Sequence, residues 1–128
     1  MLGAFISFSG LRVADVVYMI SDMLFSSKLR EAAKASGVTF QATRDAAAWA
    51  AAAREAKLAI VDLRMPTALA ALDALAAAPS PVRTVGFIDH ERTDVMDQAR
   101  AKGCTEVMAK GQFANALPKL LAGLSASP

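Results

Sequence analysis

Cysteine is nearly absent from this chain: 128 residues carry one, Cys104. It cannot close an intramolecular disulfide, which fits a protein of the reducing cytoplasm. Histidine is as scarce, with His90 alone. Charge of one sign is also missing, since 14 basic and 12 acidic residues leave a formal charge of +2. No basic run exceeds two residues, so the sequence pI near 8.9 does not argue for a nucleic-acid partner. A long apolar run is lacking too. Residues 1–20 are mostly apolar, yet Arg12 and Asp15 interrupt them, and a membrane span needs ~20 unbroken apolar residues. No Lys or Arg precedes Arg12, which removes the positive start of a signal peptide. Residues 1–14 therefore read as an N-terminal extension, either an extra strand or a disordered arm.

What is present is apolar and helix-forming. Hydrophobic residues make up 55% of the chain and charged ones 20%, well away from disordered composition, and much of the apolar share is alanine. One domain of this length buries roughly two-thirds of its unfolded surface. Residues 15–124 form that domain and 125–128 a short tail. Along it, strand and helix patterns alternate. Val16–Ile20 is a short β-branched run and reads as a buried strand. Phe25, Leu29, Ala32 and Ala33 mark one face of a helix ending near Gly37. Val38, Phe40 and Ala42 alternate with polar residues, as on an edge strand, and Thr43 is placed to cap an alanine-rich helix reaching about Ala56. Leu58–Val61 is a strand stopped by Asp62. Thr67 caps a helix bearing Leu69, Leu72 and Leu75, which Pro79-Ser80-Pro81 ends. Thr84–Ile88 is a fourth strand, and Val95, Met96 and Ala99 a helix closed by Gly103. Glu106–Ala109 is a fifth strand. Asn115 is placed to cap a last helix with Leu117, Leu120, Leu121 and Leu124 on one face and Pro118 in its first turn.

Five strands alternating with five helices imply a parallel sheet covered on both faces, with right-handed crossovers. The economical solution is an α/β doubly wound sheet, strand order 2-1-3-4-5, in which ligands bind beyond the carboxyl ends of the strands. The polar residues at those ends are Ser21 and Asp22, Asp62, Asp89 and His90, and Lys110.

Two stretches at those ends resemble the receiver domains of bacterial response regulators, a flavodoxin-like family. Leu58-Ala59-Ile60-Val61-Asp62-Leu63-Arg64-Met65-Pro66 looks like their phospho-acceptor strand, with Met and Pro three and four residues after the aspartate. Ala99-Arg100-Ala101-Lys102-Gly103-Cys104-Thr105-Glu106-Val107-Met108-Ala109-Lys110 is similar to their fourth helix end, fifth strand and lysine. The resemblance implies that Asp62 is the carboxylate nucleophile for a phosphoryl group and Lys110 its cationic contact. It also implies Mg²⁺ held by Asp22, Asp62 and the backbone carbonyl of Arg64.

The chain departs from that pattern in four places. Ser21 replaces one of two expected acids. Asp89, or Ile88 one residue earlier, replaces the hydroxyl residue that should end strand four. Val107 stands for the switching aromatic, and Gly111 for the proline after the lysine. The expectation is a stand-alone atypical receiver of a two-component or phosphorelay system with weak Mg²⁺ binding. Its partner would be a histidine kinase, a phosphotransfer protein or a downstream effector, bound largely independently of phosphorylation. The face between the fourth and fifth helices, near Arg100, Lys102 and Lys119, is the expected contact face. Other readings stand beside these. Asp62 can be a simple strand-end or capping group. Asp22 can cap the helix starting at Met23, Lys110 can salt-bridge Asp62 or Asp22, and Asp89 with His90 and Asp62 can hold a transition metal. Trp49 reads as a packing anchor and Cys104 as a small buried residue. The alternative function is a small enzyme or ligand-binding domain using a cleft at Asp22, Asp62, Asp89 and Lys110.

Overall fold

The computed structural model describes residues 14–78 and 80–125. The extension proposed for residues 1–14 lies outside them save for Ala14, as do Pro79 and the tail from residue 126. Within these residues β1 (Val16–Met19), α1 (Met23–Ser36), β2 (Phe40–Ala42), α2 (Ala46–Ala53), β3 (Leu58–Asp62), α3 (Ala68–Ala76), β4 (Thr84–Ile88), α4 (Thr93–Ala101), β5 (Glu106–Ala109) and α5 (Lys110–Ser125) follow in strict alternation. All strand pairs are parallel and the sheet order is β2-β1-β3-β4-β5, as expected. The carboxyl ends of β1, β3 and β5 therefore share one end of the sheet.

The period of the strands sorts their side chains between two cores. Val17, Met19, Ala59, Val61 and Ile88 pack against Trp49, Ala50 and Ala53 of α2, Ala68, Ala71, Leu72 and Leu75 of α3, and Ala99 of α4. Val16, Tyr18, Leu58, Ile60, Val85 and Phe87 face Leu29 and Ala33 of α1 and Phe113, Leu117, Leu120, Leu121 and Leu124 of α5. Small alanines let α2 and α3 lie close to the sheet, and Trp49 fills the space between. It is fully buried, and its indole N–H donates to the Ile60 carbonyl at 2.9 Å, so it is a packing anchor. Cys104 is buried as expected, and burial pushes its thiol up to about 11.

Two helix starts differ from the sequence expectation, and a third falls where expected without its cap bond. Asp45, not Thr43, caps α2, its Oδ1 accepting from Ala48 N–H at 2.8 Å, while the Thr43 hydroxyl donates to the Tyr18 carbonyl at 3.1 Å. Thr67 occupies the cap position of α3 but makes no side-chain cap bond. The last helix starts at Lys110 rather than at Asn115, with the Gln112 Oε1 reaching back to accept from Ala109 N–H at 3.4 Å. Pro118 consequently lies inside α5 rather than in its first turn. The helix also runs to Ser125, one residue beyond the expected domain edge. At the end of α1, Gly37 takes the left-handed φ of 69° that closes the helix.

Candidate functional site

β3 is buried along its whole length, and its last residue carries the site. Asp62 pairs in register with Phe87 of β4, and none of its surface reaches solvent. A carboxylate there is stable only if its oxygens are fully met. They are. Oδ2 accepts from the Ser21 N–H at 3.3 Å and the Ser21 hydroxyl at 2.9 Å. Oδ1 accepts from the Arg64 backbone N–H at 3.0 Å. The Arg64 side chain then folds back over the same carboxylate, Nε–H to Oδ1 and Nη2–H to Oδ2, both at 2.9 Å. This is the two-pronged guanidinium–carboxylate pair, the geometry a lysine cannot reproduce.

The guanidinium is held on its other sides as well. Nη1 lies 3.6 Å from Oδ2 of Asp22. The guanidinium carbon sits 5.5 Å from the centre of the Phe25 ring and 5.6 Å from that of Phe87, within cation–π range. Those rings are part of a small aromatic stack, with Phe87 and Phe113 4.3 Å apart and nearly parallel at 7°. Burial alone would push the Asp62 carboxyl up. The hydrogen bonds from the side chain and backbone of Arg64 and from Ser21, with the guanidinium charge, outweigh it and hold the carboxyl below its ordinary range.

The other expected residues stand nearby with partners of their own. Asp22 caps α1, its Oδ1 accepting from Phe25 N–H at 3.1 Å while its second oxygen faces Arg64. Lys110 pairs with neither Asp62 nor Asp22. Its Nζ is 2.9 Å from Oδ1 of Asp89. That contact, first among the causes, lowers the Asp89 carboxyl from its usual range. β4 ends on the buried Ile88, and Asp89 begins the loop beyond it. The His90 side chain is 80% exposed and faces Glu91. Among the described residues no three His, Cys, Asp or Glu side chains are grouped to hold a metal, so the Asp89–His90–Asp62 centre does not form.

The charged oxygens expected to hold the Mg²⁺ that the resemblance implies are already turned to a cation of the chain's own. Mg²⁺ wants near-octahedral oxygen ligands at about 2.1 Å. Both oxygens of Asp62 are bonded to a cationic side chain, Asp22 faces the same cation, and Ser21 brings no charge. The sequence reading used Arg64 only through its backbone carbonyl. Its side chain is the group that reading missed, as are its ring partners Phe25 and Phe87. A cleft of about 390 Å³ opens beside the site, lined by Ser21, Asp22, Met23, Thr43, Arg44 and Met65 among others, but not by Asp62, Asp89 or Lys110. Of the four groups expected around one cleft, this one is lined by Asp22 alone.

No protein-family model matches the sequence, and no curated protein sequence matches it significantly. Solved structures do match the fold. The signal receiver domain of the response regulator NarL from Mycobacterium tuberculosis is 21% identical with a TM-score of 0.70, covering 90% of this chain and 98% of that domain. The receiver domain of NtrX from Brucella abortus is 17% identical with a TM-score of 0.71, over 89% of this chain and 100% of that domain. The match with a longer NtrX chain spans 27% of its length. The receiver domain of the sensor histidine kinase PA1611 from Pseudomonas aeruginosa, solved with a magnesium ion in its active-site cleft, is 12% identical with a TM-score of 0.71 over 89% and 98%. The fold is that of a response-regulator receiver domain.

Proposed function

We propose that residues 15–124 form a receiver-like signalling module of a two-component or phosphorelay system. It acts in the cytoplasm by protein–protein contact that is largely independent of phosphorylation. Asp62 holds the phospho-acceptor position and Lys110 the phosphate-contact position, but neither is free for that work. The observation that carries the reading is the closed state of Asp62, with no solvent exposure and both oxygens bridged by Arg64. Lys110 is engaged by Asp89. Mg²⁺ binds weakly, since its would-be ligands already share a cation.

The coupling groups support the same reading. A ligand shifts an equilibrium only as far as it binds two states differently. With Ile88 ending β4 and Val107 half-buried in β5, there is no hydroxyl to follow a phosphoryl group and no aromatic ring to swing with it. The contact face we assign is the one formed by α4, β5 and α5, where Arg100 and Lys119 are exposed and Lys102 is tied to Asp73 at 2.9 Å. The partner is a histidine kinase, a phosphotransfer protein or a downstream effector. The test is to capture it by pull-down and to measure its affinity for the wild type and for Asp62→Asn. The two affinities should agree within a few-fold. A loss beyond about tenfold, ~1.4 kcal/mol, would show that the carboxylate governs binding.

A further inference from the structure

We propose that Ser21, Asp22 and Asp62 form a guanidinium site whose ligand is the chain's own Arg64, so that a divalent cation can enter only by displacing it. The inference rests on the geometry of the site and stands whether or not Asp62 ever carries a phosphoryl group. Two carboxylates that converge on one point at the sheet end need a cation. Here it is supplied from within the chain. Arg64 follows Asp62 by two residues, and its tether makes the encounter intramolecular, at an effective concentration no free ion has to match.

The shape of the pocket selects the ligand. The two oxygens of Asp62 meet Nε and Nη2 at equal distances of 2.9 Å, Asp22 takes the third nitrogen at 3.6 Å, and the rings of Phe25 and Phe87 flank the guanidinium. A planar, weakly hydrated cation suits such walls. A strongly hydrated Mg²⁺, which sheds water reluctantly, does not. Ser21 fits the same logic. Its neutral hydroxyl donates to Oδ2, where a carboxylate would compete for the cation and add a charge that one guanidinium could not balance.

The experiment titrates Mg²⁺, with Mn²⁺ as a second probe, into wild type, Arg64→Gln, Arg64→Lys and the double variant Arg64→Gln/Asp62→Asn, with no phosphodonor present. Calorimetry and the thermal midpoint are the readouts. Arg64→Gln should bind Mg²⁺ at least about tenfold more tightly than wild type and gain thermal stability from it, and the double variant should lose that gain. Arg64→Lys, which keeps the charge without the fork, should fall between. If Arg64→Gln needs the ion to fold, its refolding on Mg²⁺ addition supports the proposal. Wild type binding Mg²⁺ as tightly as Arg64→Gln overturns it, as does an Arg64→Gln protein that Mg²⁺ neither binds nor rescues. Because no phosphoryl chemistry is involved, either result leaves the signalling reading to its own test.

Discussion

Arg64 and Asp62 are a buried acid and the base that makes it tolerable, and each explains the other's placement. Removing one partner of a buried pair strands the second. Arg64 keeps 25% of its side chain in solvent, so Arg64→Ala should cost roughly 2–4 kcal/mol, below the 3–5 expected of a fully buried pair. The pH dependence has a definite sign. The Asp62 carboxyl lies lower in the folded protein than its unfolded value near 3.9. Its stabilisation is therefore complete above that value and lost as pH falls through the folded one. In Arg64→Gln burial has the larger say, the folded carboxyl rises above its unfolded value, and the slope reverses. The variant should gain stability relative to wild type as the solution is acidified from neutral. Urea unfolding followed by the fluorescence of Trp49, the chain's one tryptophan, measures both curves. Parallel curves would remove Arg64 from control of this carboxylate. None of this was legible in the residues Asp62-Leu63-Arg64. Spacing placed the carboxylate at a strand end, but which way a long flexible side chain turns after that end depends on rings contributed by α1 and β4.

At the scale of elements, periodicity carried most of the information. Runs such as Val16–Ile20, Leu58–Val61 and Thr84–Ile88 are too short and too β-branched for helices, and each became a strand within one residue of its expected bounds. Helix starts were less legible. A cap is a hydrogen bond made in one backbone geometry, and Thr43 spends its hydroxyl on Tyr18 across the sheet edge instead. Asn115 is a fitting cap for the leucine face from Leu117 to Leu124, yet the buried Phe113 extends that face backwards and the first turn begins at Lys110. Gly86 shows packing deciding a residue inside a strand. A Cβ built there would stand 2.9 Å from Leu63 Cδ1 and 3.3 Å from Cys104 Sγ. Leu63 is itself buried and has little room to yield. Gly86→Ala should therefore destabilise by about 1–3 kcal/mol, read as a lower urea midpoint at unchanged slope. A variant as stable as wild type would mean that β4 and Leu63 are looser than described.

For the whole molecule, a parallel sheet of order β2-β1-β3-β4-β5 decides where chemistry can be placed, since it brings the ends of β1, β3 and β5 together. That convergence of Asp22, Asp62 and Lys110 was legible from alternation and the crossover rule alone. The pairing within it was not, because three acids and two bases at one sheet end can be matched in several ways, and only side-chain packing chooses. The chosen match is Arg64 with Asp62 and Asp22, and Lys110 with Asp89. It leaves both oxygens of Asp62 and the ammonium of Lys110 already paired at that end of the sheet. The most direct measurement is the intact mass of the wild-type protein after incubation with a small phosphodonor and Mg²⁺, with Arg64→Gln alongside. Wild type should remain unmodified. A stoichiometric phosphoryl adduct mapped to Asp62 in wild type would contradict it.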